Sequence, residues 1–297
     1  MRRQMNEIIE RILPDAIYNK EFKLGGEIYP FYSFCKPDSE AGWSDEMTTQ
    51  LEQPSKTHFI DRYNRKVALD GIRNKLNNRK CCYLDMGCSS GYMLEEALEE
   101  FPNTDAIGAD YFSAGLLQCH QRLPNIPLFQ VDLANCQFSD NLFDAVTCLN
   151  VLEHIKDDVS ALRHLFRIIK PGGKLVVTVP MDPGLYDIYD QVHCHVRRYQ
   201  MSELKSKVES TGFRILEANH FGVFIYPAFY LVKQINRWRF GRVTEDKKMK
   251  IVFSQIHNTS RIILMEKLCN IEYSLGRGGI SYPFGIRGYV VALKPGA

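Results

Sequence analysis

Residues 83–91 read Tyr83-Leu84-Asp85-Met86-Gly87-Cys88-Ser89-Ser90-Gly91, an apolar strand end running into a turn bounded by glycines. Behind the turn, Met93, Leu94, Ala97, Leu98 and Phe101 recur at helical spacing. Strand, glycine turn and helix make the first half of a β-α-β unit. Glycine lets the backbone come close to a ligand, and the N–H groups that open the helix favour anionic ligand groups. A dinucleotide fingerprint would also put glycine at positions 89 and 92. Ser89 and Tyr92 stand there instead, which disfavours a nicotinamide cofactor.

Working outward, the runs 81–84, 106–109, 128–131, 143–149 and 175–179 are short and apolar, as strands are. Val159, Leu162, Leu165, Phe166 and Ile169 form a second helical stripe, stopped by Lys170-Pro171-Gly172-Gly173. Five strands with crossing helices predict a doubly wound α/β sheet whose ligands sit beyond the carboxyl ends of the strands. A helix over 201–210, a strand over 213–218 and a last strand over 290–293 extend it. The expected architecture is a seven-stranded Rossmann-like sheet with helices on both faces. Residues 57–76 read as one long helix entering the first strand, after apolar clusters at 8–17 and 28–34 around Gly25-Gly26. The expected division is an N-terminal helical extension and lid over 1–76, and a core domain over 77–297 with insertions at about 181–200 and 222–284.

At 297 residues, with 45% hydrophobic, 24% charged and 11% aromatic residues, the composition is that of a soluble globular chain with a sizeable core. Disorder, collagen and coiled coil are excluded as the main state. Lys and Arg number 37 against 35 Asp and Glu, a net charge of +2, so nothing global draws the chain to a polyanion. Nine cysteines, an odd number with no Cys-x-x-Cys, suit reduced thiols in a cytoplasm better than disulfides or zinc. The N-terminus lacks the apolar core of a signal peptide. The longest apolar stretch, 221–232, contains Pro227 and falls short of the roughly 20 residues a membrane span needs. The expected location is cytoplasmic.

Taken together, 83–91, Gly108-Ala109-Asp110, Gln130-Val131-Asp132-Leu133, 143–155 and 165–180 resemble, in order and spacing, the successive motifs of class I S-adenosylmethionine-dependent methyltransferases. The resemblance implies S-adenosylmethionine as cofactor. It would be held at Asp85, Gly87, Ser89, Gly91, Asp110, Tyr111, Asp132, Leu133 and Asn150. Asp110 would take the ribose hydroxyls, and Asp132 with Leu133 would line the adenine. The chemistry agrees, because one carboxylate accepts from two vicinal hydroxyls, and Asp110 lies near the expected offset for a ribose-binding acid. Ser89 departs from the family's usual glycine, and Met86 from a smaller residue.

Residues 181–200 form a long polar and aromatic connection where α/β loops usually take 2–6 residues. Asp190-Gln191-Val192-His193-Cys194-His195-Val196-Arg197-Arg198-Tyr199 concentrates two imidazoles, a thiol and two guanidiniums. A metal site on His193, Cys194 and His195 is disfavoured, since alternation points Cys194 away from the histidines and no fourth ligand is evident. No metal is expected. Two readings remain open: a loop tied by ion pairs, or a lid with His195 as general base and His193 or His154 as weaker candidates. The segment His195-x-Arg197-Arg198-Tyr199 resembles a pattern in bacterial family members that tailor glycans, lipids or natural products. That resemblance implies acceptor contacts from Arg197, Arg198, Tyr199 and Tyr186.

The expected reaction is methyl transfer to an oxygen of a small-molecule or lipid-linked acceptor. N- or C-methylation, and a noncatalytic scaffold on the same fold, stand as alternatives. Asn150 is followed by Val151-Leu152-Glu153 rather than by prolines and an aromatic, so no clamp for a flipped base is present and no nucleic-acid partner is expected. Between 236 and 250, six Lys and Arg face only Glu245 and Asp246, a local +4. With the apolar 221–232 stretch, that charge suggests either peripheral contact with an anionic membrane or a buried helix, which leaves room for a homodimer.

Overall fold

The structure, a computed structural model, describes residues 22–24, 27–29, 31–34, 56–77, 80–259 and 263–296. The expected cluster at 8–17 and Cys35 lie outside the described residues. In chain order, strands β1 (Phe22–Leu24) and β2 (Glu27–Tyr29) pair antiparallel, and β3 (Tyr32–Ser33) follows. Then come α1 (Phe59–Leu76), β4 (Cys82–Met86), α2 (Tyr92–Glu100), β5 (Asp105–Asp110), α3 (Ser113–Arg122) and β6 (Leu128–Gln130). Next are β7 (Phe143–Leu149), α4 (Asp158–Ile168), β8 (Ile169–Pro180), α5 (Ile188–Val192), α6 (Met201–Ser210) and β9 (Arg214–Phe221). Helices α7 (Tyr226–Phe240), α8 (Glu245–Thr259) and α9 (Ile263–Arg277) precede β10 (Arg287–Leu293).

The main sheet runs β3-β6-β5-β4-β7-β8-β10-β9, with β10 antiparallel to both neighbours and the other pairings parallel. It has eight strands where the sequence predicted seven. The added strand is Tyr32–Ser33, whose two residues pair with Phe129 and Gln130. Tyr32 stacks on Phe129 with ring centroids 5.2 Å apart, and Ser33 donates to the Gln130 side chain at 2.7 Å. Two residues are too few to show a period, so this strand was invisible to pattern reading.

Central strands of a parallel sheet are buried on both faces, so they read as continuous apolar runs. All five residues of β4 are buried. One core cluster gathers Leu84, Ile107 and Val146 with Leu162 and Leu165 of α4 and Leu204 of α6. The other gathers Tyr83 and Val176 with Ala68 and Ile72 of α1, Leu94 of α2 and Leu116 of α3. A third, smaller cluster joins Ile188 and Val192 of α5 to Val252 of α8. The segment after β8 therefore packs against α8.

Pro227 does not interrupt the 221–232 stretch. It sits in the first turn of α7, where its missing N–H would have had no helical partner. Among the described residues no helix is long and apolar enough to cross a membrane. The eight described cysteines are all thiols, seven of them buried.

Candidate active site

The turn after β4 is shaped by backbone that few side chains tolerate. Gly87 has φ 85°, Ser89 φ 44° and Gly91 φ 84°. A Cβ on Gly87 would lie 2.2 Å from Val151 Cγ2, and one on Gly91 would lie 2.5 Å from Cys119 Sγ. The Gly87 and Cys88 N–H groups donate to the Ala109 carbonyl at 2.7 and 3.0 Å, which lashes the turn to β5.

Asp110, at the end of β5, closes this arrangement. One carboxylate oxygen accepts from Ser89 N–H at 2.8 Å and the other from Phe112 N–H at 2.9 Å. Burial raises its pKa, while these backbone donors pull it back. Asp85 is 2% exposed and accepts from the Thr147 hydroxyl at 2.7 Å, which itself lies 2.6 Å from the Tyr83 hydroxyl. Burial pushes the Asp85 carboxyl up to about 7 against the Thr147 hydrogen bond, and the nearby Asp110 adds to the rise.

The remaining cofactor candidates continue along the same edge. The Tyr111 carbonyl accepts from the Gln130 amide at 3.0 Å. Asp132 accepts from Ala134 N–H at 2.8 Å and caps a 3-10 turn over Leu133–Asn135, with Leu133 buried. Asn150, at φ 56°, accepts from Arg287 and donates its N–H to the Thr178 carbonyl at 3.0 Å. The nine residues thus stand at the carboxyl ends of β4, β5, β6 and β7. Asp85, Asp110 and Asp132 bring three carboxylates to this edge, which suits a ligand that presents hydroxyl and amino groups.

A second cluster lies beyond β7 and β8. A 3-10 turn over Leu152–His154 brings Glu153 and His154 toward the loop that follows α5. His195 is 7% exposed, and its Nδ1 meets Asp190 at 2.9 Å while its Nε2 faces Glu153 Oε1 at 4.0 Å. The His154 and His195 rings meet edge-on with centroids 4.9 Å apart. His193 stacks on Tyr189 at 3.9 Å, and its ring lies 5.7 Å from His195. Burial lowers the pKa of all three imidazoles; for His193 it falls to about 3, with His195 adding to the drop. Burial alone would raise the Asp190 carboxyl, yet His195, Lys233 and Arg198 together hold it far below the usual carboxylate range.

The expected acceptor contacts are already engaged within the fold. Arg197 donates to Asp158 at 2.7 Å and to the Lys156 carbonyl at 2.6 Å. Arg198 donates to both oxygens of Asp190, at 3.0 and 3.2 Å, and to the carbonyls of Met181 and Ile286. The Tyr199 hydroxyl donates to Asp158 at 2.7 Å, and the Tyr186 hydroxyl donates to the His195 carbonyl at 2.8 Å. These four side chains hold the loop in place around His195.

With this geometry in view, comparison with known proteins is specific. Residues 53–218, more than half of the chain, match the family described as a methyltransferase domain. The chain belongs to that family. Demethylmenaquinone methyltransferase of Corynebacterium urealyticum is 34% identical over 155 residues, covering 49% of this chain and 66% of that protein. Ubiquinone biosynthesis O-methyltransferase of Pseudomonas aeruginosa is 29% identical over 107 residues, covering 35% and 46%. The matched part is thus less than two thirds of either relative. Phosphoethanolamine N-methyltransferase 2 of Haemonchus contortus, solved with S-adenosyl-L-methionine, superposes with TM-score 0.57 at 18% identity, over 86% of this chain and 58% of that one. The cyclase SpnF superposes with TM-score 0.52 at 16% identity, over 78% and 81%. These likenesses establish the class I S-adenosylmethionine-dependent methyltransferase fold.

Sequence reasoning gave no role to Glu153, Asp187 or Lys233, and none in the site to Asp190. Lys233 is 2% exposed and reaches Asp187 at 2.5 Å and Asp190 at 3.4 Å, while Asn236 donates to Asp187 at 2.8 Å. The signal was a lone lysine continuing the apolar 221–232 run. Glu153, His154 and His195 each place one potential ligand atom within 4.8 Å of the others, which the separate reading of His193, Cys194 and His195 did not foresee.

Proposed function

We propose that the protein transfers a methyl group from S-adenosylmethionine to an oxygen of a small-molecule acceptor. The observation that carries this reading is adjacency. The carboxylate-lined edge at β4 to β7 runs straight into the imidazole–carboxylate cluster that follows β7 and β8. On this reading Asp110 accepts from the ribose hydroxyls, Asp85 and Asp132 supply further acceptors, and the Gly87–Gly91 turn brings backbone close to the ligand. When bound, S-adenosylmethionine supplies a methyl group on a sulfonium, already an activated leaving group.

The chain's own work is then to align the acceptor oxygen and to relieve it of its proton. Alignment is worth ~7–11 kcal/mol, and assisted proton removal ~10²–10⁴ in rate. The cluster around His195 is the place for the second task. Asp190 fixes the imidazole through Nδ1 and leaves Nε2 turned toward Glu153. A small acceptor agrees with the names of the curated relatives, which refer to demethylmenaquinone and to ubiquinone biosynthesis. Since a cyclase shares the fold, fold alone does not fix the reaction.

One observation favours a lipid-borne acceptor. Helix α7 exposes Tyr230, Leu231, Val232, Ile235 and Trp238, the last at 85%, beside Arg237 and Arg239. Binding to vesicles of anionic but not neutral lipid, weakened by salt, would support that source. Equal recovery in the supernatant with both would leave a freely diffusing acceptor. A cytoplasmic setting fits the reduced cysteines. The transferase reading itself is tested by calorimetry with S-adenosylhomocysteine and NAD in parallel; binding of NAD alone would overturn it.

A further inference from the structure

We propose that Glu153, His154 and His195 form a divalent-cation site beside the methyl-transfer centre. Glu153 is fully buried, and neither of its carboxylate oxygens receives a hydrogen bond from another residue. A buried, unsatisfied carboxylate is costly and calls for a partner. Oε1 instead points at the Nε2 face of His195, 4.0 Å away. The third donor is on His154, whose ring stands edge-on to His195, and the three potential ligand atoms lie within 4.8 Å of one another. At metal–ligand distances of ~2.0–2.2 Å, neighbouring ligands of a tetrahedral or facial set stand about 3.0–3.5 Å apart, so side-chain shifts of about 1 Å close the site.

The surroundings of the two imidazoles support the same assignment. Histidines that bind metals characteristically engage their other ring nitrogen with a carboxylate or a backbone carbonyl. His195 Nδ1 engages Asp190, and His154 hydrogen-bonds the Cys194 backbone. Asp190 is itself held by Arg198 and Lys233, so His195 has one orientation. Two imidazoles and one carboxylate favour manganese, iron(II) or zinc over calcium and magnesium, and three protein ligands leave positions open for an acceptor.

Charge points to what fills those positions. Asp187, Asp190 and Glu153 are offset by Arg198, Lys233 and Arg287, whose field reaches Glu153. A dication therefore adds positive charge that an ionised acceptor oxygen offsets. This role, unlike the cation site itself, rests on the transferase reading. The cation lowers the pKa of the acceptor hydroxyl, and the proton passes to solvent. The oxygen lone pair then forms the new O–C bond, and the electrons of the broken S–C bond remain on sulfur. His195 acts as a ligand rather than as a free base.

The test is Mn²⁺ titration by calorimetry on the chelator-stripped chain, beside S-adenosylhomocysteine titration of the same sample. One Mn²⁺ per chain is expected, with Glu153→Gln raising its Kd at least about tenfold while the S-adenosylhomocysteine Kd stays unchanged. Pulsed electron paramagnetic resonance of the wild-type Mn²⁺ complex should show nitrogen couplings from two imidazoles, which needs no variant to fold. A chain that binds S-adenosylhomocysteine but no Mn²⁺, Zn²⁺ or Fe²⁺ overturns the cation site and leaves the transferase reading standing. Mn²⁺ binding without nitrogen couplings, or with the same Kd in folded Glu153→Gln, also overturns it. Failure to bind S-adenosylhomocysteine overturns the transferase reading instead.

Discussion

Replacing Asp110 with Ala separates two duties of one carboxylate, the backbone ties that the structure shows and the ribose contact proposed above. One oxygen holds Ser89 N–H at 2.8 Å and the other holds Phe112 N–H at 2.9 Å. Hydrogen bonds to a charged group are each worth ~1.5–3 kcal/mol. Because Asp110 is partly open at the strand end, water can replace part of both once the side chain is gone. The stability loss should therefore be about 2–3 kcal/mol in all, or a melting point lower by roughly 3–5 °C for a chain of this size. Cofactor binding is weakened as well, since on the proposed reading the ribose hydroxyls lose their acceptor while the 87–91 turn loses its tie. One charged hydrogen bond converts to an increase of roughly 10- to 150-fold in the S-adenosylhomocysteine Kd. Asp110→Asn keeps one oxygen, so one backbone N–H stays satisfied and the other faces an amide N–H; its Kd should fall between those of Ala and wild type. Calorimetry on variants with wild-type circular dichroism decides the matter. A folded Asp110→Ala chain with unchanged affinity would refute the assignment of the ribose to this carboxylate.

Gly87→Ala places a Cβ 2.2 Å from Val151 Cγ2 at φ 85° and should cost about 2–5 kcal/mol in urea unfolding. Adding Val151→Ala should remove the steric part and leave the backbone strain, so an additive double variant would contradict the clash. The folded Asp85 carboxyl at about 7 exceeds its ordinary unfolded value of ~3.9. Its contribution is therefore full below about pH 4 and is lost as pH rises through 7, up to about 4 kcal/mol. Asp85→Asn should lack this decline, and wild-type and variant unfolding curves that change in parallel between pH 4 and 8 would sink the argument. His195→Ala should lower turnover at saturating acceptor while S-adenosylhomocysteine affinity holds; full activity would remove His195 from the chemistry.

What could be read from the chain follows from what burial leaves in a sequence. The run 143–149 matches β7 residue for residue because a strand buried on both faces reads as one apolar run, and the helix over 201–210 matches α6 because Met201, Leu204 and Val208 keep helical spacing. The glycine turn was equally legible, since Gly87 and Gly91 answer to backbone angles that most residues avoid. Tyr32–Ser33 was not legible, being too short for any period.

The proposed cofactor residues have a topological guide: they lie at or just beyond the carboxyl ends of β4 to β7, where a doubly wound sheet places its ligands. The acceptor side has no such guide. Asp190 has His195 and Arg198 as partners within the loop, but the link from Asp187 and Asp190 to Lys233, 46 and 43 residues further on, is announced by nothing local in residues 181–200. Glu153 adjoins His154 in the sequence, but only the fold shows that it is buried and unsatisfied. The ion pairs from Lys233 tie α5 to α7, and the Asn236–Gln255 amide pair continues the network into α8. An uncompensated buried charge costs about 3–5 kcal/mol, so α7 cannot leave α5 without taking Lys233 and Asn236 from Asp187, whereas Asp190 keeps Arg198 and His195. The same Asp190 that meets Lys233 at 3.4 Å also orients His195, so the seating of α7 and the alignment of the imidazole share one carboxylate.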